Sequence, residues 1–375
     1  MHRVPVSMET GETRFRYSVE VTLQGDESME WLTNAWYVAM YAAELLPDKL
    51  ATQTILNNRL VIFRDHDGNP IALEDRCCHR NAPLSCGRLL PSGRIMCGYH
   101  GLEFDGAGRC VHNPHGNGHI PKDALVRKFH AVERHSLIWV WTGEGEPDST
   151  TIPDLGMFDP ATTQYELGRP DLIEMAVPWD LVVDNLMDLS HVSYLHDGLL
   201  GNSSTIKAET VVSQRDLQVT VSRWMPGVSP PKYFDLLLHG DGRQVDLWHD
   251  ITWYAPSVLT LDVGASPAGN GRDRGTGSFA AHILTPRTEK STAYHFMSAR
   301  NNPLPRSVAE EERLASELAE LRREAFAGQD EPMMLSQFEN IEWYGGDVQG
   351  VFLSVDGGVV RWRRVMAELL KRDRG

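Results

Sequence analysis

The stretches Cys77-Cys78-His79 and Cys97-Gly98-Tyr99-His100 are the most informative part of this 375-residue chain. Together they form the pattern C-x-H-x17-C-x2-H, in which each short pair offers one thiolate and one imidazole. Both side chains bind transition metals, and two such pairs supply a complete set of four ligands. The pattern therefore predicts a metal centre held by two loops.

Two kinds of metal centre accept two Cys and two His. In a Rieske [2Fe–2S] cluster the two Cys bind one iron and the two His bind the other. Each pair would then give one ligand to each iron, Cys77 and Cys97 to the first and His79 and His100 to the second. Tetrahedral zinc is the alternative, but zinc sites usually pair Cys with Cys and His with His. The mixed pairs favour the Rieske cluster and with it one-electron chemistry.

The flanking residues support this interpretation. The first pair continues as Arg80-Asn81-Ala82-Pro83-Leu84-Ser85, and the second as Gly101-Leu102-Glu103-Phe104-Asp105-Gly106. Both segments resemble the Rieske domain of ring-hydroxylating and O-demethylating oxygenases. Cys78 departs from that family, where proline is usual, and we expect its thiol to pack as a small apolar side chain.

Composition excludes several classes of protein. No run of about eighteen apolar residues is present, so we expect no membrane-spanning segment. The net charge of −15 argues against a nucleic-acid partner, because phosphate binding needs a basic surface. Five cysteines are too few for a disulfide framework in a chain of this length, which predicts a reducing, cytoplasmic location. A local basic excess surrounds the metal motif, and it is either a solvated face or a dock for an acidic electron donor. Its members are Arg76, Arg80, Arg88, Arg94 and Arg109.

A second polar set has the pattern N-x2-D-x2-H-x4-H. Asn185 and Asp188 are expected on one helix face, with His191 one turn further. His191 and His196 stand about 140° apart on an ideal helix, so both can reach one ion only if the helix bulges or stops between them. Two His and one carboxylate form the facial triad of non-haem Fe(II) oxygenases, which leaves positions open for O2. The set therefore predicts a mononuclear iron site.

This spacing resembles the mononuclear iron motif of Rieske oxygenases, and the resemblance extends over residues 31–370. It implies a third iron ligand downstream in a D-x-P setting. Asp330-Glu331-Pro332 provides that setting, with Asp330 as the expected ligand and Glu331 as the alternative.

The resemblance also implies roles for the two other polar residues of the set. We expect Asp188 to accept hydrogen bonds from His191 and, across a subunit boundary, from His100. This arrangement would orient the imidazoles and couple electron transfer to a proton. Asn185 either lines the iron pocket or makes a structural hydrogen bond.

The family implies an α+β protein, in which an N-terminal all-β Rieske [2Fe–2S] domain precedes a C-terminal helix-grip catalytic domain with an antiparallel sheet and helices. The expected boundaries are an extension over 1–28, a Rieske domain over 29–150 and a mononuclear iron domain over 151–375, with Met29 as a possible alternative start. Local patterns add a surface loop over 264–277, a helix from a Ser307–Glu310 capping box to about Phe326, and a last helix over 359–371.

The implied function is that of the terminal oxygenase component of a multicomponent Rieske monooxygenase, assembled as a head-to-tail homotrimer. Electrons from NADH would arrive through a separate ferredoxin or flavin reductase, since no strand leads into a G-x-G-x-x-G motif. We expect O-demethylation of a methoxylated aromatic acid, through a hemiacetal that releases formaldehyde. Ring hydroxylation or another oxidation of a small organic substrate remains open, and an electron-transfer Rieske protein is the alternative of another class.

Three residues are candidates for substrate contacts. His282 would contact a substrate carboxylate, or else is a structural histidine. Asp262 and Leu321 occupy pocket positions where related demethylases carry other residues, and an aspartate there would repel an anionic substrate.

Overall fold

The computed structural model describes residues 30–238, 240–301, 306–345 and 350–374, together with the antiparallel pair β1 (Val6–Ser7) and β2 (Arg16–Tyr17). The rest of the N-terminal extension, including Met29, lies outside the described residues. The chain folds into two compact units. One unit contains residues 31–161 and 285–289, and the other contains residues 162–284 and those from 290 onward. The functional boundary that the sequence places after residue 150 stays a prediction.

The first unit is built from β-strands, as expected. Its strands are β3 (Trp36–Tyr41), β4 (Ala51–Ile55), β5 (Asn58–Arg64), β6 (Pro70–Glu74), β7 (Arg88–Leu89), β8 (Ile95–Met96), β9 (Glu103–Phe104), β10 (Cys110–His112), β11 (Lys128–Arg134) and β12 (Leu137–Trp141). Six of them form an antiparallel sheet in the order β3-β12-β11-β6-β5-β4, and the four short ones form a second sheet in the order β10-β9-β8-β7. Branched and aromatic side chains suit these strands, and every residue of β12 is buried.

The second unit, over its described residues, combines one large sheet with five helices. The strands are β13 (Glu166–Leu167), β14 (Asp171–Met175), β15 (Thr210–Arg215), β16 (Gln218–Val228), β17 (Val245–Tyr254), β18 (Val258–Pro267), β19 (Thr276–Thr288) and β20 (Ser291–Arg300). The helices are α1 (Trp179–Met187), α2 (Lys232–Leu237), α3 (Val308–Arg323), α4 (Glu331–Trp343) and α5 (Gly357–Asp373). The strand order is β13-β20-β19-β18-β17-β16-β15, and β14 pairs with β20 beside β13. No helix within the described ranges is long and apolar enough to cross a membrane.

Helix α1 is held in place by α5. Trp362 donates from Nε1 to Asp184 at 2.9 Å, and its ring packs against Trp179 with centroids 5.8 Å apart. The Arg363 guanidinium pairs with Asp184 at 2.6 Å and with Asp180 at 3.1 Å. A buried ion pair of this kind adds little net stability. Loss of one partner is nevertheless costly, because it leaves an uncompensated buried charge. The network therefore fixes the helix that leads into the second polar motif.

Two element predictions were wrong in extent. The loop expected over 264–277 is shorter, because β18 runs to Pro267 and β19 begins at Thr276. The helix expected to end near Phe326 continues instead through a π-helical turn over Glu324–Asp330 into α4. Pro332 lies in the first turn of α4, directly after the π-helical turn, and does not break the helical segment. The last helix agrees with its prediction.

The capping box of α3 yields a testable prediction. Ser307 and Glu310 bond reciprocally, with Ser307 N donating to Glu310 Oε2 at 2.7 Å. Replacing Ser307 with Ala removes one cap and should cost about 1 kcal/mol. Amide exchange in the first turns of α3 should then accelerate by about fivefold, measured by hydrogen–deuterium exchange. The exposed Ser213 in β15 offers a matched Ser213→Ala control, and equal protection in both variants would contradict the role of the cap.

Candidate metal centres and substrate cavity

The two loops of the Cys/His motif have the same backbone hydrogen bonds. In the first, Cys77 N donates to Ala82 O at 2.8 Å and Asn81 N donates to Cys77 O at 3.0 Å. In the second, the amide of Cys97 donates to Leu102 O at 2.8 Å and Gly101 N donates to Cys97 O at 3.0 Å. The fourth residue after each cysteine has a left-handed φ, 56° at Asn81 and 72° at Gly101. Asn and Gly tolerate this conformation best, so the sequence encodes both turns.

These loops place the two cysteines inside the unit and the two histidines outside. Cys77 and Cys97 are buried neighbours without a disulfide, whereas His79 is exposed and its ring centroid lies 4.5 Å from that of His100. Burial raises the pKa of the Cys77 thiol to about 11, with the Cys97 side chain as a further contribution. A metal removes this cost because it binds the thiolate directly. The donor set fits a cluster with one iron on the thiolates and the other on the imidazoles.

Residues around this centre behave as surface and core. Cys78 packs against the core of the unit beside Cys77, as predicted. The five arginines of the basic patch are exposed. Three of them pair with carboxylates: Arg76 with Glu74, Arg94 with Glu103 and Arg109 with Asp105. These pairs reduce the local positive charge.

His191, His196 and Asp330 converge on one point. Their ligand atoms all lie within 4.8 Å of one another. Asp330 Oδ1 is 3.2 Å from His196 Nε2 and 3.6 Å from His191 Nε2. Asp330 is buried, and its Oδ2 has no hydrogen-bond partner among the described residues. A buried carboxylate with one oxygen facing two imidazoles fits a divalent cation, and two His with one carboxylate suit Fe(II). Glu331, the alternative ligand, is not in this group.

The local backbone explains how both histidines reach one point. His191 lies in a single 3-10 turn over His191–Ser193 that stops before His196, which confirms the predicted interruption. The prediction that Asn185 and Asp188 share a helix face was wrong, however, because α1 ends at Met187. Asp188 adopts φ −94° and ψ 96°, and its Oδ1 accepts a hydrogen bond from Ser190 N at 2.7 Å. This local turn of the aspartate competes with helix continuation.

Asp188 and Asn185 both lie beside the triad. The Nδ1 atom of His191 lies 2.5 Å from the backbone oxygen of Asp188 but 3.9 Å from its carboxylate. The contact that orients His191 within the chain is thus made by the peptide carbonyl. Asn185 Nδ2 donates to Asp330 Oδ1 at 3.1 Å, and Asn185 also lines the adjacent cavity.

Two positioning residues were missed from the sequence. Gln329 Oε1 lies 2.7 Å from His196 Nδ1, and this contact leaves Nε2 directed to the triad. Its position directly before the expected ligand Asp330 was the available signal. Arg223 on β16 is buried and donates to Leu189 O at 2.7 Å and Thr205 O at 2.9 Å. It holds the segment between Asp188 and His191, and only the three-dimensional fold shows this contact.

A cavity of about 580 Å³ adjoins the triad within the second unit. Its lining is largely apolar and includes Leu186, Ile251, Leu261, Phe296 and Phe326. His282 also lines it. The His282 Nδ1 contacts the Tyr294 hydroxyl, and Nε2 is buried without a partner in the described ranges. Burial, with a smaller effect of Arg322, lowers the pKa of His282 to about 3, so this imidazole is neutral at physiological pH.

The two other candidate substrate residues are not among the described residues that line the cavity. The Asp262 carboxylate instead accepts a hydrogen bond from Trp248 Nε1 at 2.8 Å. Leu261 and Val263 line the cavity, and strand alternation directs Asp262 to the opposite face. Leu321 is buried on α3, while its neighbours Leu318 and Arg322 line the cavity.

Known proteins match both parts of the chain. Residues 35–129 match the Rieske [2Fe-2S] domain, and residues 175–372 match the vanillate O-demethylase oxygenase C-terminal domain. The oxygenase component of dicamba O-demethylase from Stenotrophomonas maltophilia is 41% identical over 276 residues, which cover 73% of this chain and 79% of that protein. The oxygenase component of chloroacetanilide N-alkylformylase from Rhizorhabdus wittichii is 37% identical over 72% of this chain and 77% of its own length. The crystal structure of dicamba monooxygenase bound to 3,6-dichlorosalicylic acid superposes with a TM-score of 0.83 at 35% identity, covering 92% of this chain and 99% of that one.

The chain therefore belongs to the Rieske non-haem iron oxygenases. It is the terminal oxygenase component of a multicomponent monooxygenase. Its cofactors are a Rieske [2Fe–2S] cluster and mononuclear non-haem iron, and it uses O2. The alternatives of a zinc site and of an electron-transfer protein are thereby set aside.

The triad gives a testable prediction on metal content. Replacing His191 with Ala removes one of three expected ligands, so iron should fall from about three to about two atoms per chain while acid-labile sulfide stays at about two. The visible absorbance of the cluster should be unchanged. His282→Asn, which alters another buried cavity histidine, should keep all the iron. Loss of the red-brown chromophore in His191→Ala would contradict the separation of the two centres.

Proposed function

We propose that this chain catalyses O-demethylation of a methoxylated aromatic acid. The observation that carries the proposal is the triad of His191, His196 and Asp330 at the wall of a largely apolar cavity of about 580 Å³. Such a cavity suits a single aromatic ring, with a few polar groups to orient it. The dicamba and vanillate relatives are named as O-demethylase oxygenase components, which supports this reaction type.

The reaction balances with the components of the system. One methyl C–H bond becomes C–OH, O2 gives its second oxygen to water, and two electrons and two protons are consumed. The resulting hemiacetal breaks its C–O bond to release formaldehyde and a phenol. Bound iron supplies the activation of O2. The apolar lining, which includes Phe296 and Leu261, would hold the ring, exclude water and orient the methoxy group towards the triad.

Residue roles follow from the site geometry. We propose Cys77, Cys97, His79 and His100 as ligands of the cluster, and His191, His196 and Asp330 as ligands of the mononuclear iron. Asn185 would hold Asp330 through the hydrogen bond at its Oδ1.

Electron entry would use the exposed parts of both units. The Asp188 side chain is 27% exposed, and its carboxylate lies 3.9 Å from His191 Nδ1, which contacts the backbone oxygen of Asp188 instead. His79 and Tyr99 are exposed at the end of the first unit. These exposures support a head-to-tail homotrimer in which His100 of one protomer meets Asp188 of the next. The five free cysteines support a reducing, cytoplasmic location.

Asp188→Asn tests the proposed relay, in which Asp188 links His191 to His100 of the next protomer. The amide keeps the shape of the side chain but removes the charge that would stabilise a protonated imidazole, so turnover should fall by about 100-fold with both metals retained. Steady-state NADH oxidation coupled to product, together with iron and sulfide assays, measures this. Asp216→Asn, at an exposed turn of the same unit, is the matched control. Turnover equal to that control would refute the relay.

The reaction itself is tested with a panel of methoxybenzoates and other aromatics. Purified chain, a compatible reductase and NADH should give formaldehyde and the corresponding phenol in equal amounts. A hydroxylated product that retains its methoxy group would replace demethylation by ring hydroxylation, the other oxidation open to this iron chemistry.

A further inference from the structure

One end of the cavity carries a polar row across the sheet. The strand register pairs His249 on β17 with Val263 on β18, and Val263 with Ser278 on β19. Asn301 N donates to Gly277 O at 3.0 Å, and this bond places Arg300 of β20 beside Ser278 of β19. His249, Val263, Ser278 and Arg300 all line the cavity. The next row begins with three apolar residues, Ile251, Leu261 and Ala280.

Arg300 is the buried charged group of this row, and its register partner on β13, Glu166, is exposed. Arg300 is 8% exposed, and its Nη1 is buried with no hydrogen-bond partner in the part of the chain that the structure describes. Its Nη2 pairs with Glu311 on α3. Glu311 is shared, because Arg306 also pairs with it at 3.4 Å. A single carboxylate therefore stands between two guanidinium groups, which leaves one formal positive charge in the group of three.

Buried cations need a counter-charge and partners for their donors. An unpaired buried N–H costs about as much as a lost hydrogen bond, and more when the group is charged. The Tyr233 hydroxyl contacts Ser278 Oγ at 2.8 Å, and both residues line the cavity together with Arg300. The cavity histidines cannot supply charge: burial, aided by Arg223, lowers the pKa of His249 to about 3, and His282 is likewise neutral. An anion recognised in this cavity would take its counter-charge from the arginines.

We infer that Arg300 forms an anion subsite that selects aromatic substrates bearing a carboxylate or sulfonate group. Nη1 donates to the anion, Ser278 and Tyr233 flank it, and Glu311 sets the strength of the site by competing for the same guanidinium. A guanidinium presents its donors in a plane that matches such anions. The inference rests on the proposed function for its substrate class. It assigns the discrimination between charged and neutral aromatic substrates to Arg300, which lies in no recognised sequence motif.

The test compares charged and neutral ligands of one shape. The probes are 4-methoxybenzoate, 4-methoxybenzenesulfonate and 4-methoxybenzamide, bound to anaerobic holoenzyme without reductase and measured by calorimetry. The parent protein should bind both anions at least about tenfold more tightly than the amide. Arg300→Gln should weaken the anions by about 10- to 100-fold and the amide by less than about threefold. Unchanged amide binding shows that the cavity remains folded.

Two further variants separate an anion subsite from a structural ion pair. Arg300→Lys should recover part of the anion affinity, because charge is restored without the planar fork. Glu311→Gln should tighten anion binding, whereas a structural ion pair would predict weaker binding of every probe. Arg243→Gln removes an exposed arginine paired with Asp241 and should change nothing.

The outcomes distinguish this inference from the proposed function. Equal affinity of the parent protein for 4-methoxybenzoate and 4-methoxybenzamide, or equal weakening of both by Arg300→Gln, would overturn the anion subsite. If formaldehyde still forms from neutral ethers in that case, the proposed function stands. If no aromatic ether is demethylated but anion binding depends on Arg300, the proposed reaction falls and the subsite stands.

Discussion

The buried carboxylate of Asp330 is the constraint on which the second unit depends. One of its oxygens faces two imidazole nitrogens and the Asn185 amide, and the other has no partner among the residues that the structure describes. A buried charge without compensation costs several kcal/mol, and a bound cation would supply that compensation. Other parts of the unit serve this point: α5 anchors α1, Gln329 orients His196, and Arg223 holds the segment before His191. The iron proposed at this point would both balance the carboxylate and supply the chemistry.

The first unit meets the equivalent demand in a different way. Its two thiols are buried side by side, while its two imidazoles face outward from matched loops. This division follows from sequence alone, because the residue types are local and the left-handed turns at Asn81 and Gly101 have recognisable side chains. A short motif with fixed backbone turns is therefore predictable without knowledge of the tertiary fold. The convergence of His191 and His196 was predictable for a similar reason, since their spacing is incompatible with an uninterrupted helix.

Long-range contacts could not be predicted in this way. No bounds were predicted for strands β17 and β19, in which most residues are buried and the alternation of a half-exposed strand is incomplete. Asp262 was placed in the pocket, although strand alternation turns it towards Trp248. Arg223 and Arg300 have no local signature, because a buried arginine is identified by its partners and those lie far away in the chain. The position of the third ligand came from family resemblance, whereas the π-helical turn that delivers it has no sequence signal that we recognise.

That π-helical turn, over Glu324–Asp330, separates two parts of one long helical segment. The part before it, α3, contributes Ala315, Leu318, Ala319 and Arg322 to the cavity wall. The turn itself ends at Asp330, the proposed iron ligand. Substitutions on α3 can thus change the shape and polarity of the cavity without altering the helix geometry at Asp330. Evolution can diversify the compounds that such an enzyme accepts while the oxidising centre stays the same, and the variety of reactions named among its relatives fits that freedom.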